Sequence, residues 1–345
     1  MSKAADLAIL IGNNNMGGGG VGRNLLINGA MNVAQRSTSV TGLGATAGYF
    51  GLDRWKTDFS STAGRLTLTQ DSSVPTGEGF FNSLKVACTT ADTSIAAGEQ
   101  FTIEQMIEAQ NCQVISKGTS GAKPLTLSFY CKANANATYV VELYAQDVDR
   151  RISSLFSVTT DWTRVTVTFP ADTTGAFDDD NARSLNLNIA LHAGSTYTSG
   201  TLNSSAFAST TNANRYVGGS SFFDSTDRTF FITGVQLEVG QNPTAFEHEP
   251  VERTFNKCYR YFLSVARGRA SARGNATGTE QVAFSHAFPV RMRASPTMTN
   301  VAVERSGCSH QQFTNVNENH MADMLDVTTT GYWYYNDGYT ADAEL

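Results

Sequence analysis

The sequence predicts an all-β protein, an antiparallel sandwich followed by a smaller C-terminal β module. Three observations carry this. Apolar and polar side chains alternate in many short runs, Gly, Asn and Asp punctuate those runs, and helical periodicity nearly vanishes after Arg23. Strands that alternate without intervening helices build a sandwich or a barrel.

The 345 residues suit one large sandwich plus a smaller module, and a core of that size needs neither disulfide nor metal to fold. Apolar residues make up 41% and charged residues only 16%, against a usual ~25%. Ser, Thr, Asn, Ala and Gly take the place of the missing charge, and 20 Phe and 12 Tyr argue against disorder.

The first element is Ser2 to Ile11, where Ala4, Leu7, Leu10 and Ile11 share one helical stripe. So short a helix needs a partner surface. Asn13 to Met16 and Gly17 to Gly20 follow as a hinge. A disordered tail is one reading; a docking peptide that orders against a neighbouring chain is the favoured one. The four glycines have no following lysine and no strand before them, so a phosphate loop is not expected.

Alternation then runs through Leu66–Thr69, Leu125–Phe129, Val165–Phe169, Leu185–Ile189 and Phe231–Leu237. Each is expected to be a half-buried strand with Thr or Ser turned to water. Trp55 and Trp162 are expected in the core. Two prolines, Pro243 and Pro250, bracket a connector that reads as a domain border. A helical lead-in from Glu252 to Tyr259 is expected next. Strands follow at Tyr259–Ala266, Gln281–Phe288 and Thr297–Glu304, with a last hairpin from Gly331 to Thr340. The expected organisation is 1–22 docking peptide and hinge, 23–248 sandwich, and 249–345 C-terminal module.

A net charge of −6 without a basic-aromatic run gives no reason to expect nucleic-acid binding. Met1 to Met16 lacks a basic n-region and a long apolar core, so no signal peptide is expected. No stretch approaches the ~20 apolar residues of a membrane span. Cys88, Cys112, Cys131, Cys258 and Cys308 have no metal or disulfide spacing and read as buried thiols of a protein folded in a reducing cytoplasm.

Enzyme chemistry is not expected. There is no GxSxG elbow and no HExxH, and His192, His248, His286, His310 and His320 are dispersed. No carboxylate pair suggests a glycosidase. Asp178-Asp179-Asp180-Asn181 reads as a solvated turn before it reads as a cation loop. The richest cluster is Tyr332-Trp333-Tyr334-Tyr335 with Tyr339. On a strand about half of it faces outward, to stack on sugar rings or on a neighbouring subunit; the other reading is that all of it packs a core or an interface.

Several segments carry a resemblance. Asn24-Leu25-Leu26-Ile27-Asn28-Gly29-Ala30-Met31 with Ala34-Gln35-Arg36 and Leu52-Asp53-Arg54-Trp55 resembles the opening of tailed-phage tail-fibre and virion jelly-roll proteins. Phe101–Gln105, Leu127–Lys132, Trp162–Val165 and Gly234–Gly240 running into Phe246-Glu247 continue the likeness in order. So do Cys258–Tyr261, Phe288–Thr297 and the closing Ala341–Leu345. The N-terminal peptide is similar to the start of marine and cyanobacterial phage particle proteins.

The resemblance implies a jelly-roll sandwich and a virion protein made in the host cytoplasm. It implies a homotrimeric tail fibre that docks other virion proteins through the N-terminal peptide and meets a host-surface glycan through the C-terminal module. A capsid or connector decoration protein is the alternative, and a free carbohydrate-binding module a third. The chain also resembles galactose-binding-type modules, whose first and last strands carry an acid pair for calcium. Ala30, Met31 and Gly234-Val235-Gln236 stand at those points here. No metal and no cofactor is expected.

Overall fold

The computed structural model describes residues 22–268, 271–301 and 303–345. The chain divides into two compact units, with the border between Glu249 and Pro250. The docking stripe of Ala4, Leu7, Leu10 and Ile11, and the glycine hinge, lie outside the described residues.

Among the described residues the first unit holds twelve strands. These are β1 (Ser39–Leu43), β2 (Lys56–Ser60), β3 (Arg65–Asp71), β4 (Ser83–Thr90), β5 (Gln100–Glu108) and β6 (Leu125–Ala133). Then come β7 (Ala137–Ala145), β8 (Arg150–Val158), β9 (Thr163–Phe169), β10 (Arg183–Ala193), β11 (Ala208–Ser209) and β12 (Thr229–Val239). They form two six-stranded sheets, ordered β1-β3-β4-β12-β6-β9 and β11-β8-β7-β10-β5-β2. The chain passes repeatedly between the two sheets in jelly-roll fashion, with β3–β4 and β7–β8 as neighbours within one sheet, and the pairings are antiparallel.

The alternating residues meet between the sheets. Leu66 and Leu68 of β3, Leu127 and Phe129 of β6, Leu187 and Ile189 of β10, and Phe230 and Ile232 of β12 belong to one buried cluster. Each such side chain contributes roughly 1.5–3 kcal/mol through burial. On the outer face of the first sheet, hydroxyls pair across strands: Thr41 with Thr67 at 2.8 Å and Thr126 with Thr168 at 3.2 Å.

Trp55 lies in the core, its indole N–H donating to Asn28 O at 3.1 Å. Trp162 does not. It is half-buried, edge-on to Phe231 at 6.2 Å with the Lys132 ammonium 5.4 Å from its ring centroid. It precedes β9 in the same phase as Arg164, Thr166 and Thr168, which face outward, while Val165 and Val167 pack on the core.

The second sheet's outer face departs from the wet surface expected of a half-buried strand. Asn186 and Asn188 of β10 are buried. Tyr216, from the connection between β10 and β12, packs there on Val140 and Ala190. Glu142 is fully buried on this face and receives Arg151 at 2.6 Å, Arg215 at 3.0 Å and Asn188 Nδ2 at 2.9 Å.

The second unit opens with helix α1 (Val251–Tyr259), which carries Glu252 in its first turn and Lys257 in its last, as the helix dipole favours. Its strands are β13 (Phe262–Val265), β14 (Ala272–Ala276), β15 (Glu280–Ala287), β16 (Thr297–Val301) and β17 (Arg305–Ser306). β18 (Cys308–Thr314), β19 (His320–Val327), β20 (Gly331–Tyr335) and β21 (Gly338–Asp342) complete it. They make three three-stranded sheets, β13-β21-β16, β14-β20-β17 and β15-β19-β18.

The hairpin expected from Gly331 to Thr340 is therefore not one: β20 and β21 belong to different sheets. The link between them is held inward instead of reversing. Asp337 is fully buried, accepts Glu304 N–H at 2.8 Å and pairs with Arg305 at 3.1 Å.

Candidate functional site

Strand β20 places the aromatic cluster by its two-residue period. Trp333 and Tyr335 turn inward and are 5% and 1% exposed, whereas Tyr332 is 59% exposed and Tyr334 half-buried. Tyr339, on β21, is also buried, so it joins the core of the module and not the outward face. The outward pair has ring centroids 6.3 Å apart at an interplanar angle of 38°.

Neighbouring strands supply polar groups beside these rings. On β14, Asn275 lies opposite Tyr332 and Arg273 opposite Tyr334; on β17, Ser306 lies opposite Tyr334. A groove of about 480 Å³ runs along this face, lined by Arg273, Tyr332, Tyr334, Ser271 and Asn336 among others. Asn336 is held in place by donating to Glu304 Oε2 at 2.8 Å. Gly274 sits opposite Trp333, and a Cβ there would lie 3.0 Å from the indole nitrogen, so a larger residue would push the inward ring.

The inward residues anchor the strand. Tyr335 donates to Asp323 Oδ2 at 2.6 Å and accepts Asn300 Nδ2 at 3.3 Å; the Cys308 thiol donates to Tyr334 O at 3.1 Å. Burial, and then the Asp323 carboxylate, push the Tyr335 hydroxyl well above the ordinary tyrosine value, so it remains a donor. A rigid strand with two phenol rings, a guanidinium and an amide on one side suits a ring-shaped polar ligand. Ring faces cover C–H groups while the polar groups hydrogen-bond hydroxyls.

Asp178, Asp179 and Asp180 are exposed, and Asp180 Oδ1 accepts Ala182 N–H at 2.9 Å, a turn hydrogen-bonded to itself. All five cysteines are buried. Asn24, Asn28 and Gly29 face strand β12 and the Leu52–Trp55 segment: Leu25 N–H donates to Leu237 O and Val235 N–H to Gly29 O, at 2.9 and 3.0 Å. Asn28 Nδ2 donates to Val33 O and Asp53 O. This opening segment closes the sandwich. At the Gly234-Val235-Gln236 stretch, Gln236 Nε2 donates to Glu238 Oε1 at 2.9 Å, and Glu238 accepts Thr244 N–H and hydroxyl.

Two carboxylates do share the second sheet's outer face. Glu104 and Glu142 flank Asn188, each paired with it across a strand. Burial raises the Glu104 carboxyl above its ordinary value, with Asp58 adding to the rise. Glu142 is spoken for by Arg151 and Arg215, and Tyr216 covers the face. No helix among the described residues is long and apolar enough to cross a membrane.

No protein-family model and no curated protein matches the sequence. Three solved structures illustrate what the fold is similar to. The enzymatically active domain of tailspike protein 4 of bacteriophage CBA120 aligns at TM-score 0.32 and 13% identity, over 63% of this chain and only 22% of that one. A family 4 carbohydrate-binding module aligns at TM-score 0.32 and 13% identity, over 62% of this chain and 98% of that one. TmCBM61, solved with β-1,4-galactotriose, aligns at TM-score 0.31 and 9% identity, over 64% and 99%.

Proposed function

We propose that the chain is a non-enzymatic glycan-binding protein of a tailed-phage particle, a homotrimeric tail fibre that contacts the host surface through the outward face of β20. The observation that supports the binding site is the groove lined by exposed Tyr332, half-buried Tyr334 and Arg273, with Asn275 across the strand pair from Tyr332. The phage assignment is supported by the ordered segments that resemble virion jelly-roll proteins.

The mechanism is avidity. Three weak sites on one particle raise attachment by ~10²–10⁴ over a single site without any new contact. The peptide carrying Ala4, Leu7, Leu10 and Ile11 docks the fibre to other virion proteins.

The experiment is a glycan array of bacterial surface polysaccharides probed with the full chain, followed by calorimetry on each hit. Wild-type protein binds at least one glycan, and Tyr332→Ala or Tyr334→Ala weakens it roughly tenfold, the ordinary loss for an aromatic anchor. A folded wild type that binds none removes the glycan reading. Light scattering tests the trimer, and a strict monomer at micromolar concentration removes avidity. Deleting residues 1–16 should leave a folded protein that no longer joins virions; normal incorporation would place docking elsewhere.

A further inference from the structure

Three buried side chains converge at one end of the sandwich. Asp92 lies in the β4–β5 connection, Glu99 immediately precedes β5, and His192 is near the end of β10. They are 5%, 3% and 1% exposed, and one donor atom of each lies within 4.8 Å of the other two. His192 Nε2 stands 3.1 Å from Glu99 Oε2, and the Asp92 and Glu99 carboxyls are in hydrogen-bonding contact.

Each member of this group is also held by further hydrogen bonds. Asp92 Oδ2 accepts the Thr62 hydroxyl at 2.9 Å and Ala63 N–H at 2.7 Å, and Glu99 Oε1 accepts Ala96 N–H at 2.9 Å. His192 Nδ1 meets Ser221 Oγ at 2.8 Å, and with Nδ1–H donating there the Nε2 lone pair would be free for a metal, as outer-shell bonds arrange for ligating imidazoles. A bulge between Ala190 and His192 shifts the β10–β5 register at this point, a device that re-aims a side chain. The His192 ring is braced edge-on by Phe223 at 5.3 Å.

Charge sharpens the geometry. Two carboxylates in contact inside a protein cannot both be ionised without a counter-charge. Among the described residues His192 is the one basic side chain in ion-pair contact with either. Arg65, close by, donates to Thr62 O and Gly64 O instead.

We propose that Asp92, Glu99 and His192 are the protein ligands of one first-row divalent metal ion, Zn²⁺ by donor set, which clasps the β4–β5 connection to β10. One imidazole nitrogen and two carboxylate oxygens match that class, and two carboxylates neutralise its charge. Calcium wants six to eight oxygens and gains little from imidazole. With bonds of ~2.0–2.2 Å, two ligand atoms on a tetrahedral ion stand roughly 3.3 Å apart, close to the 3.1 Å between His192 Nε2 and Glu99 Oε2.

The test uses the full chain stripped with a chelator, then titrated with Zn²⁺, Mn²⁺ and Ca²⁺ by calorimetry, with metal content read by mass spectrometry. One Zn²⁺ per chain is expected, with a melting temperature that climbs with the logarithm of free Zn²⁺. His192→Gln should lose that ion, and Ser221→Ala should bind roughly tenfold more weakly. The Zn²⁺ dependence of wild-type melting decides the matter even if a variant misfolds. A folded, stripped wild type that takes up no Zn²⁺ overturns the proposal and leaves a proton shared between Asp92 and Glu99. Uptake undiminished in a folded His192→Gln, or preference for Ca²⁺ over Zn²⁺, overturns it equally.

Discussion

The Tyr335 hydroxyl donates to Asp323 Oδ2 at 2.6 Å inside the C-terminal module, tying the end of β20 to a carboxylate with no exposure. Burial raises the Asp323 carboxyl above its ordinary value, against the lowering effects of Tyr335 and His310. The contribution of such a raised acid is fully present below about 3.9, the unfolded Asp value, and is lost as pH rises through the folded value. Tyr335→Phe removes a donor from the ionised form. It should cost about 1–3 kcal/mol near neutral pH, and less in acid, where the carboxyl is protonated in both proteins. Urea unfolding followed by Trp333 fluorescence measures the difference; an equal loss at both pH values would contradict the assignment.

Neighbouring positions on β20 should behave oppositely. Trp333→Ala opens a cavity in the module and should destabilise it by about 3–5 kcal/mol. Tyr332→Ala, at an exposed position, should change stability by less than about 0.5 kcal/mol while weakening glycan binding. Paired unfolding and binding measurements separate the two faces, and a large stability loss in Tyr332→Ala would reassign it to packing.

Acid sensitivity in the sandwich should trace to Asp172. Its Oδ2 lies 3.0 Å from Lys117 Nζ and 2.9 Å from Arg150 Nε. Burial alone would push this carboxyl up, but hydrogen bonds from Arg150 and Lys117 reverse that and hold it below the ordinary value. Its contribution is therefore present above about 3.9 and is lost as pH falls through the folded value. Asp172→Asn should cost about 3–5 kcal/mol near neutral pH, because Lys117 stays buried without its counter-charge, held by the Thr174 and Gly175 carbonyls. The gap from wild type should close in strong acid, and denaturant melts across the acid range check this.

A single methyl group should disturb the closure of the sandwich. Any Cβ at Gly29 would lie 2.1 Å from Val235 O, on the backbone that donates Val235 N–H back to Gly29 O. Gly29→Ala should cost about 1–3 kcal/mol by forcing the two backbones apart. Gly278→Ala, with nothing within 4 Å, should stay within about 0.5 kcal/mol and serves as the control.

Much of the sandwich was legible in the residues. Leu66–Thr69, Leu125–Phe129, Val165–Phe169, Leu185–Ile189 and Phe231–Leu237 all fall in strands, because a period of two is imposed locally by backbone geometry. The phase of Trp162 was legible too, since it is in step with Arg164, Thr166 and Thr168; bulk apolar character drew it wrongly into the core. Burial of Asn186 and Asn188 was not. Their alternation is that of a wet face, and only the return of Tyr216 and Arg215 over the sheet removes the water.

The aromatic run divides the same way. Alternation requires that half of Tyr332 to Tyr335 face outward, but the neighbours across β14 and β17 select which half and give the rings their polar company. For Asp92, Glu99 and His192 the chain offered no spacing to read. Two lie seven residues apart and the third almost a hundred further on, and a bulge aims the imidazole.

The sequence by itself determined that this chain is built from antiparallel strands, because side-chain alternation acts over a few neighbouring residues and needs no distant partner. Only the tertiary structure decided which faces are dry, which tyrosines are offered to solvent, and that two acids and an imidazole share one buried point. Those outcomes depend on register and on loops laid across sheets, and free energy of that kind is set between residues far apart in the chain.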